Sequence, residues 1–320
     1  MKRRTLILSS TMPLLAALPG CAHGPDPLPV VSAGRIERLA AFPSRHVEAR
    51  HVDVCLPPGY DGTKRHPVIY MHDGQALFDG AQSMSKTGWR VDEAIAGLIA
   101  QGVELPLVVG IWNIGTRRHG EYFPQPMLDK LPAAARERAW DKLPLQMQPM
   151  LSGLLKDGRS SSEAYLRFIT QELKPAVDAR FATKRGREST FLMGSSMGGL
   201  ISIHGLLAYP QVFGAAASLS THWIGLLERN DDISDAALAW LRESLPPAGQ
   251  LRLYLDRGTA GGDAEYAHAQ GQVDALLRER SLVAPLVVSR VFEGAEHTER
   301  YWAQRVHVPF GFLLTPGAVT

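Results

Sequence analysis

Short apolar runs recur along most of the chain and alternate with longer stretches in which apolar residues return every three or four positions. The runs are residues 68–71, 107–111, 190–193, 215–218, 251–255 and 287–291. Several are apolar at both odd and even positions. A strand reads this way when both its faces are covered, because successive side chains point to opposite sides of a sheet. The helical patterns are 90–101, 163–181, 198–208, 264–280 and 298–306. Pro175 predicts a kink or break in the second, since proline removes a donor and its ring crowds the preceding turn. Strand alternating with helix implies parallel crossovers, hence an α/β domain with a mostly parallel central sheet and helices on both faces.

One stretch breaks this rhythm. Residues 124–162 mix prolines with short helical pieces around 133–140 and 151–155. Connections in α/β units are normally a few residues long, so this segment predicts a helical insertion that serves as a lid or cap, or is ornament. The domain itself is expected over residues 46–316, preceded by a proline-rich linker and N-terminal segment over 22–45. Bulk composition agrees with a single large domain: 320 residues, 45% apolar and 21% charged, with a net charge of +2. No run of Lys and Arg occurs beyond the first residues, which argues against nucleic acid or an anionic membrane face. No internal period appears, so solenoids and propellers are excluded.

The N-terminus has its own grammar. Lys2-Arg3-Arg4 precedes a mostly apolar stretch from Leu6 to Leu18, closed by Pro19-Gly20-Cys21. This is the order of a secretory signal, and it is too short to span a membrane. Residues 18–21 resemble the lipobox of bacterial lipoproteins, in which the cysteine is lipidated, although Pro19 is unusual there. Plain cleavage after Ala22 and a twin-arginine route are the alternatives. The expectation is a signal over 1–21 and an exported, periplasmic protein tethered to the outer membrane through Cys21. Ala22 is not the Asp that retains lipoproteins at the inner membrane. The only other cysteine, Cys55, then has no partner. It lies in a strand-like alternation and reads as a buried, inert thiol.

The sharpest chemical feature is Gly194-Ser195-Ser196-Met197-Gly198-Gly199, between an apolar run and a helical pattern. In a G-x-S-x-G elbow a serine sits on a strained strand-to-helix turn that only small neighbours allow. Ser196 alone fits the centre, because Met193 stands where Ser195 would need glycine. A serine hydroxyl needs a base, and the chain order for this elbow is serine, acid, histidine. Among downstream histidines, His204 and His268 fall inside helical patterns. His297 follows the last apolar run in a loop ahead of a helix, where the base belongs. Asp256 and Asp263 both follow the run 251–255, and either can be the acid that orients the imidazole; either can equally be structural. Two backbone N–H groups should stabilise the developing oxyanion: that of Met197, after the nucleophile, and that of Gln75, in the loop Met71 to Asp79. The eleven histidines show no H-x-x-x-H or H-x-H spacing, and no nucleotide-binding glycine motif is present. No metal and no cofactor are therefore expected, and the partner is a small-molecule ester.

Several segments together resemble the putative-esterase (esterase D-like) family of α/β-hydrolases, which includes feruloyl and acetyl-xylan esterases, enterochelin esterases and mycolyltransferases. They are Tyr70 to Gln75, Gly88-Trp89, Val108 to Ile111, Glu121 to Pro124, Glu172 to Pro175, Gly194 to Gly199, Gly258-Thr259 with Asp263, and Glu293 to His297, in colinear order. The resemblance implies the α/β-hydrolase fold and a serine carboxylester hydrolase working through an acyl-serine. It implies Asp263 as the acid and supports Gln75 as the oxyanion donor. Two places depart from the family: Ala76 replaces a usual Asn, and Thr221-His222-Trp223 replaces Ser-Pro and tryptophans. His222 and Trp223 are candidates to shape an acyl pocket, with plain packing of Trp223 as the counter-reading. The same triad would serve an acyltransferase, and a non-catalytic binding protein could keep the scaffold; fold alone names no substrate.

Overall fold

The computed structural model describes residues 26–83, 85–224 and 230–315. The expected signal and Cys21 lie outside these residues. Eight strands form one sheet: β1 (Arg35–Phe42), β2 (Arg50–Leu56), β3 (Val68–His72), β4 (Leu107–Ile111), β5 (Thr190–Ser195), β6 (Ala215–Leu219), β7 (Leu253–Gly258) and β8 (Val287–Phe292). Their spatial order is β1-β2-β4-β3-β5-β6-β7-β8. β2 runs antiparallel to both β1 and β4, and the remaining pairs are parallel. All six apolar runs become strands, and the architecture is the α/β-hydrolase fold.

The double apolar character of those runs has a direct cause. Val68, Tyr70, Leu192, Ala216, Leu253 and Leu255 join one core layer. Their neighbours Ile69, Met71, Phe191, Met193, Ala215, Ala217 and Tyr254 join a second layer on the opposite face. The first layer is closed by the helical segment 162–180 and the helices Met197–Ala208, Asp231–Ser244 and Ala267–Glu279. The second is closed by Val91–Ile99, Glu299–Arg305 and His307–Leu314. Fully burying an aliphatic side chain is worth about 1.5–3 kcal/mol, so each central strand is held from both sides.

Four elements differ from the sequence expectation. β1 falls in the segment expected as linker; it is an edge strand whose residues are only partly buried, which weakens its hydrophobic signature. The helix Asp231–Ser244, capped by the Asn230 side chain accepting from the Ile233 N–H, is not among the expected patterns, nor is His307–Leu314. Residues 162–180 form a continuous α–π–α segment, so the helix is not broken at Pro175. The wider π stretch, Phe168–Leu173, lies just before the proline, where a missing N–H and a crowded carbonyl are most easily absorbed. Within the insertion, Met127, Leu128, Leu154 and Leu155 are buried in the first core layer. Lys130 and Arg138 tie the insertion to Glu243 and Asp232 at the helix Asp231–Ser244.

Because β3, β5, β6, β7 and β8 run in one direction, their C-terminal ends share an edge. The loops that leave that edge carry Gln75, Ser196, His222, Asp263 and His297. In open α/β sheets this is the edge where ligands bind.

Candidate active site

Ser196 links β5 to the helix Met197–Ala208 with φ 55° and ψ −124°. Few non-glycine residues hold such a conformation, and it persists only when the surroundings enforce it. Here the Ser196 N–H donates to the Leu219 carbonyl at 2.9 Å, and the Ser196 carbonyl accepts from the N–H groups of Leu200 (3.1 Å) and His222 (3.3 Å). The flanking glycines are required by contact. A Cβ on Gly194 would stand 2.6 Å from the Gly198 backbone, and one on Gly199 would stand 2.0 Å from Ser218 Oγ. The turn is thus a built elbow and not a flexible glycine loop.

Asp263 and His297 come together at the ends of β7 and β8. His297 Nδ1 is 2.6 Å from Asp263 Oδ1. Asp263 Oδ2 accepts from Ser220 Oγ and from the Gly258 N–H, each at 2.7 Å. Burial by itself raises the Asp263 carboxyl, but the hydrogen bond and charge of His297, with the Ser220 and Gly258 donors, outweigh it and hold the group below the usual carboxylate range. The carboxylate is therefore ionised, acceptor-only and fixed. Asp256, the alternative acid, is fully buried and engaged elsewhere: Arg305 at 3.1 Å and the Tyr254 hydroxyl at 3.1 Å.

Tyr266, a residue with no role in the sequence reading, sits among these groups. Its hydroxyl neighbours Ser196, which lowers the phenol's pKa against the larger, opposite effect of burial. It also shares a short hydrogen bond with His222 Nδ1, and its ring stands edge-on to His297 with centroids 5.0 Å apart. Burial, and then the neighbouring His297, His119 and Arg118, push His222 well below the ordinary histidine pKa, so its imidazole is neutral. His222 therefore meets the site through Tyr266. Trp223 takes the counter-reading: it is buried, with Nε1 donating to Gln270 Oε1 at 2.7 Å. The signal for Tyr266 was available, since it lies three residues after Asp263 in the same short helix, Gly261–Tyr266.

Gln75 and Met197 occupy the first turns of the helices Gly74–Ala76 and Met197–Ala208, where N–H groups have no intrahelical acceptor. The two turns abut. A Cβ on Gly198 would lie 3.3 Å from both His72 Cβ and Asp73 Oδ2, and one on Gly74 would lie 2.6 Å from the Gly110 backbone. Asp73, in the left-handed conformation at φ 59°, is clamped by Arg118 at 2.6 and 2.7 Å and by Asn113 at 2.7 Å. This clamp fixes the Gln75 turn against the elbow. Cys55 is buried in β2, and burial pushes its thiol up to about 12, as an inert residue requires.

A family model described as "Putative esterase" matches residues 45–151 and 153–312. The chain belongs to this esterase family. Over 180 residues the esterase is 25% identical to the ferri-bacillibactin esterase BesA of Bacillus subtilis, covering 54% of each chain. Over 163 residues it is 32% identical to the siderophore triacetylfusarinine C esterase of Aspergillus fumigatus, covering 50% of this chain and 46% of that one. The matched stretch thus spans about half the length of these two relatives. Among solved structures, an IroE-like serine hydrolase from Shewanella oneidensis superposes with a TM-score of 0.60 at 21% identity, over 87% of this chain and 79% of the other. In this esterase the other downstream histidines lie elsewhere: His204 is bound to Glu163 at 2.6 Å, and His268 and His307 lie on helices.

Proposed function

We propose that this esterase cleaves small-molecule carboxylic esters, of the kind found in siderophores, through an acyl-serine intermediate on Ser196. The single observation that carries the reading is the 2.6 Å contact between His297 Nδ1 and a buried, ionised Asp263, beside a serine held in a strained elbow. Asp263 accepts a hydrogen bond from Nδ1–H, which keeps the proton on Nδ1 and leaves Nε2 as the free base. Nε2 takes the Ser196 proton as Oγ attacks the ester carbonyl, and the negative charge moves to the carbonyl oxygen. The N–H groups of Gln75 and Met197 receive that charge. The carbon–oxygen bond to the alcohol then breaks, and the imidazolium returns its proton to the departing alkoxide. Water repeats the sequence on the acyl-serine and releases the acid. The siderophore class is supported by the names of the two curated relatives.

Ser196→Ala should lower kcat on a responsive ester by about a million-fold, with the melting temperature unchanged, while Ser195→Ala keeps most of its activity. A panel of short-chain, feruloyl, acetyl-sugar and siderophore esters supplies the substrates. Equal collapse in two folded variants would remove the elbow assignment, and a folded Ser196→Ala of full activity would remove the mechanism.

A further inference from the structure

Ser220 follows β6 and, like Ser196, is a non-glycine residue in the left-handed region, with φ 47°. Its backbone N–H is held by the Asp256 carbonyl at 2.8 Å. Its side chain is fully buried, and the hydroxyl has no hydrogen-bonding capacity left over. It donates to Asp263 Oδ2 at 2.7 Å and accepts from Trp302 Nε1 at 3.0 Å and Arg305 Nη2 at 2.9 Å. A hydroxyl has one donor and two acceptor sites, and all three are used. The two incoming donors consume both lone pairs, so the hydroxyl proton can point only at Asp263.

The donors are themselves fixed. Arg305 is 3% exposed and paired with Asp256, whose Oδ1 lies 3.2 Å from Nε and 3.1 Å from Nη2. The Trp302 ring stands edge-on to His297, with centroids 5.0 Å apart. One hydroxyl therefore ties the acid of the site, the helix Glu299–Arg305 behind the base and a buried ion pair into one arrangement. We infer that Ser220 is a positioning residue: it fixes Asp263 Oδ2 so that Oδ1 meets His297 Nδ1, with the Asp256–Arg305 pair as its anchor. This gives Asp256 its use, which is to hold Arg305 and not to touch the imidazole. The inference rests on the Ser196–His297–Asp263 reading above.

The hydrogen bond at stake is one to a charged, buried group, and its loss corresponds to about a tenfold to hundredfold fall in rate. Ser220→Ala removes the hydroxyl and keeps the backbone conformation within reach. On a responsive ester its kcat should fall by that factor while KM stays within about twofold, because the change acts on the transition-state charge and not on substrate contact. The low-field proton resonance of the His297–Asp263 bond should shift or broaden in the same variant. Trp302→Phe, which keeps the ring beside His297 and removes only the Nε1 donor, should show a smaller fall in kcat, and it carries the test if Ser220→Ala does not fold. A folded Ser220→Ala with kcat within twofold of wild type, or with KM raised and kcat intact, would overturn the inference, as would an unchanged Trp302→Phe standing in for it. Asp263→Asn separates the two readings. Full activity there sinks the triad itself, whereas a dead Asp263→Asn beside a silent Ser220→Ala sinks only the positioning role.

Discussion

Replacing Asp263 by Asn tests the site most severely, because the surrounding donors dictate what the amide must do. Asp263 Oδ2 receives two hydrogen bonds, from Ser220 Oγ and from the Gly258 N–H. The Ser220 hydroxyl, whose lone pairs are taken by Trp302 and Arg305, and the backbone N–H both have to keep their protons on this oxygen. An amide nitrogen in the Oδ2 site would point its protons at that N–H, so the new amide oxygen must take that site. The NH2 group then faces His297 Nδ1, which lies 2.6 Å from Oδ1 in the wild type. Two donors cannot share that gap, and the imidazole is driven to the tautomer with its proton on Nε2. In that form it cannot accept from Ser196. The expected loss is about ten-thousand-fold in kcat, or roughly 5 kcal/mol at about 1.36 kcal/mol per decade. The assay is steady-state hydrolysis of an activated acetyl ester, with thermal unfolding as the control on the fold. Asp256→Asn should instead lower the melting temperature and leave more of kcat, because it loosens the Arg305 anchor without facing the imidazole. A folded Asp263→Asn that keeps a tenth or more of wild-type turnover would refute the argument. Loss concentrated in Asp256→Asn would transfer the role of the acid to that residue.

Two further outcomes follow from other parts of the chain. Burial, against the opposing pull of Asp73, lowers His72 to about 3, so it stays neutral in the folded chain while an unfolded histidine takes a proton near pH 6.5. Stability should therefore decline as pH falls below about 6.5, by up to about 1.36 kcal/mol per pH unit from this residue alone; urea melts at pH 7 and pH 5 measure it, and equal stability at both would contradict the assignment. At the other end of the chain, the proposed outer-membrane tether predicts that labelled fatty acid appears on the wild type and disappears in Cys21→Ser, while a soluble wild type beginning at His23 would show ordinary signal cleavage.

How much of this was readable without coordinates depends on how local each signal is. The elbow around Ser196 is a strand, a turn and a helix in consecutive residues, so a local pattern suffices to place it. His297 needs only the chain order and a loop after the last strand. Ser220, Tyr266, Trp302 and Arg305 meet only because the crossovers after β6, β7 and β8 return to one edge, and no pattern within any of those segments states that neighbourhood. β1 escaped for a different reason: an edge strand with half-exposed residues has no continuous apolar run to announce it.

The choice between the two acids is open from the residues alone, and the sheet supplies a physical reason to propose Asp263. Side chains two apart on a strand share a face. Tyr254 of β7 lies in the core layer closed by the helices Glu299–Arg305 and His307–Leu314. Asp256, two residues on, must face that same layer, and there it meets Arg305 and the Tyr254 hydroxyl. It is aimed at a face of the sheet and not past its edge. Asp263 comes after Gly258, whose own Cβ would stand 2.0 Å from the Ala295 carbonyl oxygen of the loop that carries His297. That glycine lets the two loops touch, and the contact places the second carboxylate against the imidazole. An acid still inside its strand is bound by the parity of the sheet; only one beyond the strand's end is free to turn toward a base on the neighbouring loop.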